Sequence, residues 1–253
     1  MAGHSKWSNI KARNGAQDKK RAKIFARVIK EITIAIKENG SNGDPETNPA
    51  LRNAIQNARG ANMPKDNIER AIKRASGADA QDFKQVNLEG YGPHGIAMFV
   101  ECTTDNTNRT VANVRAIFNK YDGNLGTNGS LEFLFDRFGV FTIAKDKLNT
   151  DWDELQLIMI EDGAESFEEE DEVYLIYSGY KDFGNVSEKL HELGIETQSA
   201  GIELIPNHTE VLPLEQALTI VKMIEAFEDD DDVQNVYHSL ELTDELGEEL
   251  SKM

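Results

Sequence analysis

The stretch Val86-Asn87-Leu88-Glu89-Gly90-Tyr91-Gly92-Pro93-His94-Gly95-Ile96-Ala97-Met98-Phe99-Val100-Glu101-Cys102 decides the fold, because the apolar period changes there from that of a helix to that of a strand. Ile96, Met98, Val100 and Cys102 alternate with Ala97, Phe99 and Glu101, and residues 86–89 supply a second strand. Residues 91–95 form the turn between them, where the glycines take positive φ freely and the proline fixes its own. Cys102 is then a small buried hydrophobe on a strand rather than a nucleophile.

Upstream of this stretch the pattern is helical. Ile24, Phe25, Val28, Ile29, Ile32 and Ile36 recur at steps of three and four and predict an amphipathic helix over Asp18–Glu38, with these six side chains inward. That leaves Lys20, Arg27 and Lys30 on a positive ridge. Asn48 and Pro49 supply a cap and a first-turn proline for a second helix carrying Leu51, Ala54, Ile55 and Ala58, stopped by Gly60. Pro64 opens a third, with Ile68, Ala71, Ile72 and Ala75 inward and Gly77 at its end.

Downstream, residues 104–109 cap a helix whose face is Val111, Val114, Ile117, Phe118 and Tyr121, followed by a glycine-spaced, turn-rich surface loop at 123–129. Residues 137–206 then spell strand (140–144), helix, strand (165–168), strand (173–177), helix and strand (195–205), the order of a ferredoxin-like split βαβ unit. From Pro213 a helix bearing Leu214, Ala217, Leu218, Val221, Ile224 and Phe227 precedes a strand at 233–240. These two elements complete the unit begun at residue 78. The expectation is therefore an α+β protein of three domains. Residues 1–77 form a basic tail plus three helices, 78–136 with 207–247 a discontinuous α+β domain, and 137–206 an acidic ferredoxin-like domain inserted into it.

The 253 residues carry 27 Lys+Arg against 45 Asp+Glu, a net charge of −18 that would turn nucleic acid away if it were spread evenly. It is not spread evenly. The net charge is +9 over residues 1–77, −12 over 137–206 and −15 over the remainder. Residues 1–30 alone reach +8, with Asp18 the single acid. Such asymmetry points to a phosphate contact confined to the basic part. The alternative, a solvated basic face or solubilising tail, is weighed down by Trp7, His4 and Asn9 lying among Lys6 and Lys11, since an aromatic ring stacks on an unpaired base while cations hold phosphates. The candidate binding residues are Lys6, Trp7, Lys11, Arg13, Lys19, Lys20, Arg21, Lys23, Arg27 and Lys30, with His94 and Arg109 as candidates for a second contact.

Enzymatic chemistry finds no footing. The five histidines, at 4, 94, 191, 208 and 238, show no metal-ligand spacing, and one cysteine excludes a disulfide framework and a cysteine-rich zinc site. Nucleophile elbow, His-Glu-x-x-His and Walker signatures are absent, and the 123–129 loop lacks the lysine of a phosphate-cradling loop. At residues 104–109 an arginine falls where a calcium ligand belongs. The acidic runs 168–172 and 228–232 read as solvated loops. No catalytic residue, metal or cofactor is expected. No apolar run approaches the roughly 20 residues of a membrane span, so the expected setting is the cytoplasm, although the basic, acid-poor start also fits an organelle transit peptide.

The residues Ala2-Gly3-His4-Ser5-Lys6-Trp7-Ser8-Asn9-Ile10-Lys11, Asp18-Lys19-Lys20-Arg21, Tyr91-Gly92-Pro93, Thr104-Asp105-Asn106, Asn108-Arg109-Thr110 and Leu212-Pro213-Leu214-Glu215-Gln216-Ala217 resemble the YebC family, also called YebC/PmpR, over nearly the whole chain. The resemblance implies a three-domain α+β fold, no enzymatic activity and a nucleic-acid-related role. The family includes proteins described as transcriptional regulators and relatives acting in translation, among them the mitochondrial translational activator of cytochrome c oxidase subunit I. Bacterial members bind the ribosome and relieve stalling at consecutive prolines. Here Ala12-Arg13-Asn14-Gly15 stands where the family commonly has the more basic His-Arg-Lys. The first expectation is a ribosome-associated translation factor whose partner is ribosomal RNA. The second is a transcription regulator binding duplex DNA through the three-helix unit, and the third an acidic scaffold for a basic partner. A monomer is compatible with all three.

Overall fold

The structure, a computed structural model, describes residues 18–77 and 81–252, with side chains from Arg21 onward. It falls into two compact units. One holds the described residues up to Lys23, Asp82–Asp136 and those from Leu204 on; the other holds Ile24–Gln81 and Arg137–Glu203.

Three helices open the chain: α1 (Asp18–Glu38), α2 (Pro49–Gly60) and α3 (Lys65–Ala75). Val28, Ile32, Ala35 and Ile36 of α1 pack on Leu51, Ala54 and Ala58 of α2 and on Ile68, Ala71 and Ala75 of α3. Asn48 ties the corner together. Its carbonyl oxygen accepts from the Leu51 amide at 3.1 Å, and its amide donates to the Ala35 and Asn42 carbonyls at 2.9 and 3.0 Å. The expected inward stripe is too wide at two positions, since Ile24 is 43% exposed and Ile29 37%. At 21 residues α1 outruns α2 (12) and α3 (11), Ile24 lies outside the core the three helices share, and Ile29 lies one position off the buried 28–32–36 row.

β1 (Lys84–Tyr91) and β2 (Ala97–Thr104) pair antiparallel, with Tyr91 opposite Ala97 and Lys84 opposite Thr104. The turn closes through Gly92 N–H to the Ile96 carbonyl at 2.8 Å, and His94 (φ 62°) and Gly95 (φ 79°) both occupy the left-handed region. Next comes α4 (Thr107–Lys120), capped by Asn106, whose side chain accepts from the Arg109 amide. The loop after it is largely exposed, as its glycines suggested, but it is tied to the sheet. Residues Asn124–Leu125 form a short strand, β3, against β1, and the buried Glu89 carboxylate accepts from the Gly129 and Leu131 amides at 2.7 and 2.6 Å. A buried carboxylate needs such donors, and here they come from the loop backbone.

The split βαβ portion consists of β4 (Phe135–Ala144), α5 (Trp152–Glu161), β5 (Ala164–Glu169), β6 (Val173–Gly179), α6 (Phe183–Glu192) and β7 (Ser199–Pro206). Its sheet order, β5-β6-β4-β7, is that of the ferredoxin-like arrangement. Phe141, Ile143 and Ile176 of the sheet pack on Leu155, Met159, Val186 and Leu190 of the two helices. Two edges differ from expectation: β4 begins five residues earlier, at Phe135, and β7 begins at Ser199 rather than 195. Residues 194–195 instead close α6: Gly194 (φ 67°) donates to the His191 carbonyl and Ile195 to the Leu190 carbonyl, both at 2.9 Å, and Ile195 turns into the core.

The chain ends with α7 (Leu214–Glu228), β8 (Val233–His238) and α8 (Asp244–Leu250). β8 joins the first sheet beside β2, giving the order β3-β1-β2-β8. Helices α4, α7 and α8 cover one face over Ile96, Met98, Val100, Phe118, Ile224 and Val236, while Phe99, Leu131, Phe135 and Tyr237 form a smaller cluster. Helix α8 was not expected, because only Leu246 and Leu250 mark its buried side in an acidic segment. Mixed helix and antiparallel sheet make this an α+β fold.

Candidate nucleic-acid interface

Of the expected binding residues, Lys6, Trp7, Lys11 and Arg13 lie outside the described residues, as do the side chains of Lys19 and Lys20. On α1, Lys23, Arg27 and Lys30 follow one another at i, i+4 and i+7 and so share a helix face. Arg21 is exposed and Arg27 and Lys30 are half-buried. Lys23 Nζ donates to the Asp229 carboxylate at 2.5 Å and to its carbonyl at 2.9 Å, so this lysine is engaged within the chain. Glu31 lies one turn from Arg27. Burial pushes its carboxyl above the usual range, against the lowering effects of a hydrogen bond from Asn57 and the charge of Arg27. Arg21 is thus the exposed cation among the described side chains of this helix, beside the exposed Ile24 and Ile29.

Helix α2 spends its polar side chains inside its own unit. Asn57 Nδ2 donates to the Ala200 carbonyl at 3.0 Å, and its Oδ1 accepts from the Ala200 amide at 2.8 Å. Thr197 donates to Gln56 at 2.8 Å, Ser187 to Asn53 at 2.9 Å, and Arg52 pairs with Glu188 at 3.1 Å. Gly60 permits this approach, since a Cβ there would lie 1.8 Å from the Gln198 carbonyl oxygen. On α3, Lys65 pairs with Glu69, Arg70 bonds the Asp66 carbonyl and Asn67, and Lys73 and Arg74 are exposed in the last turn.

In the other unit Arg109 has an internal partner. Its Nε and Nη2 donate to the buried Asp232 carboxylate at 3.2 and 2.7 Å, and Nη2 also reaches Asp105 at 2.9 Å. These bonds, Asp232 first, raise its already high pKa. Thr110 Oγ1 adds a further bond to Asp232 at 2.8 Å. The acidic run 228–232 is therefore not simply solvated: Asp229 meets Lys23, Asp230 meets the Asn113 amide at 2.9 Å, and Asp232 anchors the start of α4. His94 stands exposed on the β1–β2 turn, near Tyr91, whose side chain is 43% exposed. Sequence reasoning passed over Arg115 and Lys120, exposed cations on α4; the available signal was that Thr107–Lys120 contains no acidic residue.

Among the described residues, no group of three or more His, Cys, Asp and Glu side chains is placed to hold a metal ion, and no helix is long and apolar enough to cross a membrane.

Residues 5–78 match the family model described as the TACO1/YebC protein N-terminal domain, and residues 83–240 match the TACO1/YebC second and third domain. A probable transcriptional regulatory protein of Amoebophilus asiaticus is 53% identical over 242 residues, covering 95% of this chain and 98% of that one. One of the same description from Geobacillus kaustophilus is 48% identical, with the same coverage. The crystal structure of a conserved hypothetical protein from Aquifex aeolicus, 38% identical, superposes with a TM-score of 0.76 over 88% of this chain and 91% of that one.

Proposed function

The chain belongs to the TACO1/YebC family, and from that premise we propose that it is a non-enzymatic nucleic-acid-binding regulator. In this proposal it docks on ribosomal RNA through its basic amino-terminal part and relieves stalled translation, such as at proline-rich stretches. The observation that carries this is the net charge of +8 over residues 1–30 in a chain of −18. Cations so concentrated release counterions from a phosphate backbone, while the acidic remainder turns the basic end toward it. Lys6, Lys11, Arg13, Lys19, Lys20 and Arg21 hold phosphates and Trp7 stacks on a base. With no catalytic constellation of its own, such a factor acts by positioning substrates in an active site already present.

The second proposal, a regulator reading duplex DNA, is favoured by the names of the bacterial relatives. Base readout needs a helix free to enter the major groove. The polar side of α2 is taken up by residues 187–200, and the cations of α3 are offset by Asp66 and Glu69, which favours phosphate docking through α1 and the segment before it.

Sedimentation with purified ribosomes tests the choice. The full chain is expected to pellet with them at low salt, and replacement of Lys6, Lys11, Arg13, Lys19, Lys20 and Arg21 by Gln to release it. A chain that never pellets, yet shifts one DNA duplex and not its scrambled counterpart, reverses the preference.

A further inference from the structure

Among the described α-helices that lie wholly in the same unit, α4, α7 and α8, only α4 has no acidic residue; α7 and α8 each carry several. Its buried side, Thr110, Val114 and Phe118, faces the core. Helical geometry then places Asn108, Ala112, Arg115, Ala116, Asn119 and Lys120 on one broad outer arc, and all six are exposed. The ends of this arc differ. At its start Arg109 and Asn113 are bound to Asp232 and Asp230 of the acidic run, which repels phosphate. At its finish Arg115 has no ion pair among the described residues, and Lys120 lies 5.2 Å from the Tyr121 ring centroid.

This finishing end abuts the β1–β2 turn. A Cβ on Gly123 would stand 2.7 Å from the Tyr91 carbonyl oxygen, and Asn124 pairs with Tyr91 across the β1–β3 ladder. Exposed Tyr91 and His94 are thus neighbours of a flank that carries Arg115 and Lys120, with exposed Asp122 just past the helix end as an acid beside them. Small residues at 112 and 116 let a backbone come close, Arg115 and Lys120 match its charge, and the rings offer surfaces to an unpaired base.

We propose that the C-terminal half of α4, with Arg115 and Lys120, and the adjoining turn, with Tyr91 and His94, form a second contact for single-stranded RNA, separate from the basic amino-terminal segment. This rests on the proposal that the protein binds RNA. Arg109 belongs to the scaffold of this surface and not to its contact.

The test is fluorescence anisotropy of the full chain with a labelled RNA hairpin carrying a single-stranded uridine tail, across a salt series. Arg115→Gln with Lys120→Gln is expected to weaken binding about tenfold and lower the salt slope by about 2, with thermal unfolding unchanged. Tyr91→Ala is expected to weaken binding to the tailed hairpin and leave a tail-less hairpin unaffected. If the double variant binds within twofold of the parent while Gln at Lys19, Lys20 and Arg21 abolishes binding, the second contact is overturned and the amino-terminal one stands. If the parent does not bind the RNA, both fall. An equal loss on a DNA duplex also overturns a single-stranded RNA site.

Discussion

Helices α2 and α4 are alike in sequence and opposite in use. Both are capped by an asparagine, both lack acidic residues, and both alternate arginine, asparagine and alanine on the side away from their buried leucine, valine or phenylalanine. In α2 the Arg52, Asn53, Gln56 and Asn57 side chains are half-buried and bonded to residues 187–200, with Gly60 letting the two backbones meet. In α4 the equivalent arc is exposed, and beyond its first turns no ion pair involves Arg115 or Lys120 among the described residues, Lys120 lying over the Tyr121 ring. An acid-free polar helix face in an acidic chain therefore has two explanations. It complements an acidic neighbour in the same molecule, as Arg52 does Glu188, or it is kept for a polyanion outside it.

The difference can be broken from the α2 side with the largest effect. Gly60→Ala drives a methyl into the Gln198 carbonyl and is expected to cost about 3 kcal/mol in urea unfolding; a change below a few tenths would show that α2 does not need this approach. Asn57→Ala removes both bonds to Ala200 and leaves that peptide's donor and acceptor unpaired, for about 2 kcal/mol by the same measurement. Glu31→Gln should act in the opposite direction. Because burial holds the folded-state pKa of Glu31 above its unfolded value, the folded protein binds the extra proton, and ionisation at neutral pH opposes folding. The variant is then more stable at pH 7, and its advantage fades as the pH falls from the raised folded-state pKa down to the ordinary carboxylate value. An advantage that persists at low pH would point to packing instead. Smallest of all, Arg115→Gln with Lys120→Gln should leave stability within about 0.5 kcal/mol, since these groups bond to nothing the fold needs. A larger loss would make α4 a second α2.

Where local chemistry is self-sufficient, the sequence was legible. Asn48-Pro49 and Asn106 announced two helix starts, and the heptad-like run from Ile24 to Ile36 placed α1 at its observed ends. The strand order of the split βαβ portion followed from the succession of elements. What escaped depends on distant partners. Glu89 orders a loop 40 residues away, Asp232 claims Arg109 across 123 residues, and Ile195 caps a helix where its apolar character suggested a strand. The burial of Ile24 was overestimated because periodicity gives a direction on a helix and not the length of its neighbours. At the candidate site, His94 and Tyr91 were placed by their turn chemistry. Arg115 and Lys120 were marked in the sequence only by the lack of acids in Thr107–Lys120, and their exposure on the outer face of α4 came from the fold.

Asn48 also bears on how the chain is made. Its three bonds reach 13, 6 and 3 residues along the chain, whereas the bonds from α2 to Ala200, Thr197 and Ser187 span 134 to 143. Short-range contacts close first. During synthesis the three amino-terminal helices are therefore expected to assemble while residues 187–200 are still to be translated. In that interval α2 shows water a face of amides and arginines rather than apolar side chains. Such a face is hydrated while it waits, and gives a half-made chain little to aggregate through.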